Sequence, residues 1–284
     1  EKMEIGVHVL PTFTKDTTDR NRTSPFAFTG NKFEFRMLGS AFSISGPNVV
    51  LNTTVAEELE QFADELEKAD DFQKALSALI QKTIREHKRI IFNGNNYSDE
   101  WVEEAKKRGL LNLKSSAEAI PHFVDDKNIK LFTKHGIYTE TEMRSRCEIL
   151  LENYAKIINI EALTMIDMIK KDIIPAVCEY TQMLANAALS KKSLSTSVNT
   201  QVEEHLTDKL SNLTACLYKA TENLEDSLIK AKDYENDMEA YAKFYHDTVF
   251  ANMQDARAIV DEMEVNTEGD YWPFPTYSDL LFSV

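Results

Sequence analysis

Between Val202 and Leu228 the apolar residues Val202, Leu206, Leu210, Leu213, Leu217, Ala220, Leu224 and Leu228 succeed one another at intervals of 4, 4, 3, 4, 3, 4 and 4. A recurrence this close to 3.6 puts them on one stripe of a single long helix, and that stripe needs a partner along its whole length. Ala242, Tyr245, Val249, Met253, Ala256, Val260 and Met263 repeat the pattern and predict a final helix. Residues 139–190 predict the longest helical region. Thr139 and Glu142 there spell a capping box, and Ile149, Tyr154, Ile157, Ile160 and Met165 offer an apolar stripe. Pro175 lacks the donor for an i−4 bond, so it should kink or split that helix. Long amphipathic helices joined by polar loops such as the Ser-rich 191–200 make an antiparallel bundle.

The first fifty residues read differently. Four of the eight Gly and three of the seven Pro fall in residues 1–50, which predicts strands and turns there and helices afterwards. Thr54 and Glu57 spell a capping box that should open the first helix, with Val55, Leu59, Phe62 and Leu66 as its stripe. Asp70-Asp71 should interrupt it, and a second helix should end near Asn93-Gly94. Ser98 should cap a short helix ending at Gly109, and Ser115 with Glu118 a further turn. The tail from Asp270 to Tyr277 holds four aromatics and two Pro. It should stay non-helical and dock on this or a neighbouring subunit.

Residues 19–37 predict a β-hairpin. Its second arm alternates, with Phe33, Phe35 and Met37 toward the core and Lys32, Glu34 and Arg36 on the other face. Thr29-Gly30-Asn31 supplies the turn. A Lys-x-Glu-x-Arg face with Arg20 and Arg22 nearby can hold a polyanion and a metal together. Guanidinium groups bind phosphate bidentately, and a carboxylate between cations can ligate Mg²⁺ that bridges the same phosphate oxygens. The competing reading is a solvent-facing strand with intrastrand ion pairs, each worth about 0–1 kcal/mol.

The net charge of −15 argues against nucleic acid or an anionic membrane surface as partner. Residues 1–40 carry six Lys/Arg against five Asp/Glu, or +1, so residues 41–284 carry −16. The hairpin therefore lies in the one stretch without an acidic excess. The three cysteines are far apart, which implies neither zinc spacing nor a disulfide framework, and a cytoplasmic location is expected. The six His are scattered without metal-ligand spacing; His8 and His135 could touch a site, but a histidine so placed is more often structural. The start at Glu1 leads directly into a strand-like run, as expected of a piece cut from a longer polypeptide.

The blocks Asp19-Arg20-Asn21-Arg22-Thr23-Ser24-Pro25-Phe26 and Gly30-Asn31-Lys32-Phe33-Glu34-Phe35-Arg36 resemble the Asn-Arg-Ser … Arg-x-Glu-x-Arg region of glutamine synthetases, most closely the type III branch. Ser45-Gly46-Pro47-Asn48, Ile91-Phe92-Asn93-Gly94 and the segment from Phe132 to Glu140 are also similar to that branch. The resemblance implies an α+β chain: residues 1–68 would be the end of the catalytic domain, and residues 69–284 a helical C-terminal extension. It implies ATP-dependent condensation of glutamate with ammonia through γ-glutamyl phosphate, with Mg²⁺ or Mn²⁺. Arg22 and Arg36 would be catalytic, Lys32 and Arg22 would contact the nucleotide, and Glu34 would bind a metal ion. Lys32 stands where the family usually has Arg, and Pro25-Phe26-Ala27-Phe28 stands where many relatives have a further Arg. A ring-shaped homo-oligomer is implied as well. Since most metal ligands of the family lie upstream of such strands, the chain alone is expected to be inactive. The alternative is a non-catalytic module for assembly. An unrelated coiled-coil adaptor would explain the helices but not the hairpin.

Overall fold

Two short antiparallel ladders precede a long run of helices in a computed structural model of the chain, which describes residues 2–3, 13–14, 26–28, 33–35, 39, 42–91, 98–275 and 277–282. The chain divides into two units, Glu1–Leu113 and Lys114–Val284. No helix among the described residues is long and apolar enough to cross a membrane.

In the first unit β1 (Lys2–Met3) pairs with β2 (Phe13–Thr14), and β3 (Phe26–Phe28) pairs with β4 (Phe33–Phe35). The helices are α1 (Ser45–Leu66), α2 (Phe72–His87) and α3 (Asp99–Lys107). Helix α1 opens well before the expected cap. Pro47 sits in its first turn, where a missing N–H breaks no helical bond, so Ser-Gly-Pro-Asn can start the helix. Thr54 consequently lies inside α1, and its hydroxyl donates to the Val50 carbonyl (2.9 Å). The expected stripe on α1 is not a core stripe within the described residues, since Val55 is 56% and Leu59 61% exposed. Asp71 does interrupt the helices, and it caps α2 by accepting from the Lys74 amide (3.1 Å). Helix α2 ends in a 3₁₀ turn at Lys88–Ile90, and the expected cap at residues 93–94 lies outside the described residues. Helix α3 has Ser98 at its N-cap and ends in Gly109, whose φ of 71° suits glycine alone among common residues.

The second unit starts with α4 (Ser116–Ala119), a 3₁₀ turn at Ile120–Val124 and α5 (Asp126–Lys134). The Ser115–Glu118 box at the head of α4 forms as expected. Next come α6 (Glu140–Met168), a π turn (Ile169–Ile173) and α7 (Ile174–Leu194), which follow without a break. The interruption that Pro175 demands is therefore met by widening one turn rather than by splitting the helix. At the end of that turn the Ile174 amide donates to the Ile169 carbonyl, five residues back, and Pro175 begins the new α ladder where its missing N–H is harmless.

After the 195–200 loop, α8 (Gln201–Ala231) returns antiparallel to α7. Then α9 (Met238–Phe244), a second π turn (Tyr245–Phe250) and α10 (Ala251–Asn266) run back along α8. The short helix α11 (Tyr277–Phe282) follows the tail. The core forms in three successive layers. Cys147 and Leu151 meet Ala117 and Ala242 in the first, and Ile158 and Ala162 meet Leu224 and Val249 in the second. Val177 and Tyr180 meet Leu210, Leu217 and Met263 in the third. The α8 seam is buried as its spacing predicts, with Leu210, Leu217 and Leu224 fully enclosed, except that Val202 at its start is 68% exposed.

Helix α6 departs from expectation. Its core face is Met143, Cys147, Leu151, Ala155, Ile158, Ala162 and Ile166, whereas Ile149, Ile157 and Ile160 of the expected stripe lie outside it, exposed. The helix is apolar on two opposite faces, so period alone cannot say which one turns inward.

Candidate functional site

Glu34 is the one sequence-predicted site residue whose surroundings are described. It sits at the centre of β4, opposite Ala27 in a register that also pairs Phe26 with Phe35 and Phe28 with Phe33. The antiparallel pairing expected of the two arms thus forms over residues 26–28 and 33–35. The Glu34 side chain is partly buried while Phe35, expected on the core face, is 43% exposed. A ladder of two strands has no second layer to cover that face within the described residues. Arg22, Lys32 and Arg36 lie outside the described residues, as does the expected turn at 29–31. One carboxylate can supply one or two of the six oxygens Mg²⁺ prefers, so Glu34 can contribute to such a centre but cannot make it.

The second unit holds an open groove of about 620 Å³ between α6, the first π turn, α10 and the tail. Met165, Met168, Met253 and Trp272 line it, and Glu161, Asp261 and Glu264 are the carboxylates of its wall. Arg257, also lining, donates from Nε to Asp261 (2.5 Å) one turn along α10. The tail builds one wall because it docks on its own chain. Trp272 is 8% exposed within the third core layer, and the rings of Tyr271 and Tyr180 lie 5.2 Å apart. Among the described residues of the expected non-helical tail only the last, Tyr277, enters a helix. Sequence reading did not find this groove. Its one advance signal was the aromatic tail, which promised a docking site without saying where.

Titratable groups in the bundle are tuned for structure. Burial pushes the phenol of Tyr245 well above its ordinary range, and its hydroxyl donates to Asn159 Oδ1 (3.1 Å), tying the second π turn to α6. Burial also raises the Cys147 thiol, which keeps it protonated and unreactive.

Residues 75–192, from α2 to α7, match the family described as glutamine synthetase C-terminal domain. A glutamine synthetase of Butyrivibrio fibrisolvens is 41% identical over 282 residues, which is 96% of this chain and 39% of the relative. The type-3 glutamine synthetase of Dictyostelium discoideum is 38% identical over 290 residues, or 99% of this chain and 39% of the relative. The chain resembles the C-terminal portion of a type III glutamine synthetase. A glutamine synthetase of Bacteroides fragilis (strain YCH46) is 30% identical over 99% of the chain and 40% of its own length. The chain thus spans about two fifths of the length of the glutamine synthetases it matches. The hairpin lies before the segment matched as the glutamine synthetase C-terminal domain.

Proposed function

We propose that this chain is the C-terminal part of a glutamine synthetase that forms glutamine from glutamate, ammonia and ATP through γ-glutamyl phosphate. The observation that carries the reading is similarity to glutamine synthetases along nearly the whole chain, joined to a β3–β4 register that centres Glu34 in the motif strand. Residues 1–68 would be the last strands and first helix of the catalytic domain, in an α+β architecture, and residues 69–284 its helical extension. In this reading Arg22 contacts the transferred phosphoryl group or ATP, Arg36 holds the phosphate or the substrate carboxylate, and Lys32 contacts nucleotide phosphates. Glu34 gives an oxygen to a Mg²⁺ or Mn²⁺ ion, which when bound neutralises phosphate charge. Phosphoryl transfer needs such positioning and charge neutralisation more than covalent help from the protein.

The chain alone should not form glutamine, because one carboxylate leaves a metal centre short of ligands. Arg36→Ala in the full-length enzyme should lower activity by at least about a hundredfold, the scale of losing one transition-state contact, with oligomeric state unchanged. Undiminished activity would overturn the site assignment. ATP- and glutamate-dependent glutamine formation by the 284-residue chain would overturn its inactivity.

A second reading is favoured by the outward apolar face of α6: in the chain itself the helical unit serves assembly.

A further inference from the structure

The groove between α6, the first π turn, α10 and the tail has, at about 620 Å³, the size of a small-molecule site. Its floor is set by the core behind it. Ile169 and Trp272 belong to the third core layer, Met253 to the second, and Met165 packs against both. Phe274 of the tail, half-buried, packs against the third layer as well. These side chains are held from the far side, so the hollow stands ready without rearrangement. Two of them are methionines, whose unbranched and polarisable thioethers fit themselves to an irregular apolar body.

The charges of the walls do not balance. Glu161 of α6 and Asp261 and Glu264 of α10 are set against one cation, Arg257. Three acids and one base leave the lining at −2. The charge of Arg257 is answered by Asp261 (2.5 Å), and the Thr164 hydroxyl donates to the Ile160 carbonyl (2.8 Å). Glu161 and Glu264, one on each helical wall, have no ion-pair partner among the described residues. An ionised carboxylate accepts hydrogen bonds and donates none, so these two groups call for a ligand that donates and carries positive charge.

We propose that the groove binds a small organic cation, a protonated amine on an apolar frame. The frame covers the methionines and the tail aromatics, and the ammonium group meets the carboxylates of the walls. A charge pair formed over an apolar floor, with part of its water displaced, is stronger than one on an open surface. The indole of Trp272 adds the attraction of an aromatic face for a cation. A neutral ligand of the same shape gains only the burial, and an anion is repelled. Glutamate and ATP carry net negative charge, so the groove is no second substrate site for the reaction proposed above. The inference therefore stands or falls independently of that reading.

Isothermal titration calorimetry of the 284-residue chain at pH 7 and low salt tests it with three probes of one shape: 1-naphthylmethylamine, 1-naphthylmethanol and 1-naphthoate. The amine should bind at one site with a Kd below about 1 mM, the alcohol at least about tenfold more weakly, and the carboxylate more weakly still. Glu161→Gln with Glu264→Gln keeps the shape and removes the charge. That pair should weaken the amine at least about tenfold and leave the alcohol unchanged. Asp208→Asn with Asp226→Asn removes two exposed carboxylates of α8 that do not line the groove, and should leave the amine unchanged. This separates a site from general attraction to an acidic chain. Thr164→Trp, at an exposed position of the wall, should fill the groove and abolish binding of amine and alcohol with the helical circular dichroism intact. No binding of the amine, or equal affinity for amine and alcohol, overturns the proposal. So does an amine affinity that ignores the two glutamines, follows the α8 pair equally, or survives Thr164→Trp.

Discussion

Thr139 and Glu142 satisfy each other at the head of α6: the Glu142 amide donates to the Thr139 hydroxyl (3.2 Å) and the Thr139 amide donates to the Glu142 carboxylate (2.8 Å). The amide and hydroxyl of Thr139 hold the Glu142 carboxyl below its ordinary range. A lowered acid contributes stability that is complete above its unfolded value and is lost as pH falls through the folded one. Thr139→Ala should therefore cost about 1 kcal/mol at neutral pH, and the gap to the parent should narrow in acid as Glu142 protonates. Denaturant titrations of both proteins at pH 7 and pH 3 check the size and the direction. Cap chemistry is local, and for that reason Thr139 and Ser115 were legible in sequence, while Asp71 was read as an interruption and its cap role emerged only in the structure. Thr54 has the same spelling but failed as a start, because Pro47 had already set the beginning of α1 and a Thr-x-x-Glu run fits equally well inside a helix. At the hairpin the antiparallel pairing of the two arms was legible, but not which face is covered, since Phe35 is exposed and Glu34 partly buried; the partners that would complete a metal centre cannot be read from one strand.

Among the elements, α8 shows what periodicity conveys. Leu217 is fully enclosed between α7 and α10, and Leu217→Ala should destabilise the chain by about 2–5 kcal/mol through lost burial and the cavity left behind. Val202→Ala, at the exposed start of the same stripe, should stay within about 0.5 kcal/mol. Thermal or urea unfolding of the two variants separates them. A stripe with polar flanks, as on α8, names its own buried face. Helix α6 has apolar residues on opposite faces, so its sequence showed that a helix forms but not which face is inside. That choice is made by what packs there: small Ala155 and Ala162 let α6 approach the second π turn, while Ile157 and Ile160 would hold it off.

For the whole molecule, the two units differ in how much core each owns. Among the described residues of the first, only Thr53 and Leu79 are buried, while the second encloses three continuous layers. Limited proteolysis should therefore strip the first unit and leave a resistant fragment beginning near Lys114 and retaining Trp272, identified by mass spectrometry. Equal resistance of both units would contradict this. The three long helical runs of the bundle and their order were legible, because their seams are long, whereas the short helix α5 was not anticipated. The groove was not, since it arises where the tail crosses α6 and α10, a long-range contact with no local spelling. The two π turns give the bundle a property of another kind. Each holds one residue more than an α turn requires. At Ile169–Ile173 the surplus is committed, because Pro175 depends on it, but α10, which follows Tyr245–Phe250, contains no proline. A single-codon deletion there would close the turn into ordinary helix with both flanks still in phase, whereas the same deletion in α8 would rotate every later leucine off the seam. Length differences among related bundles should gather at that turn.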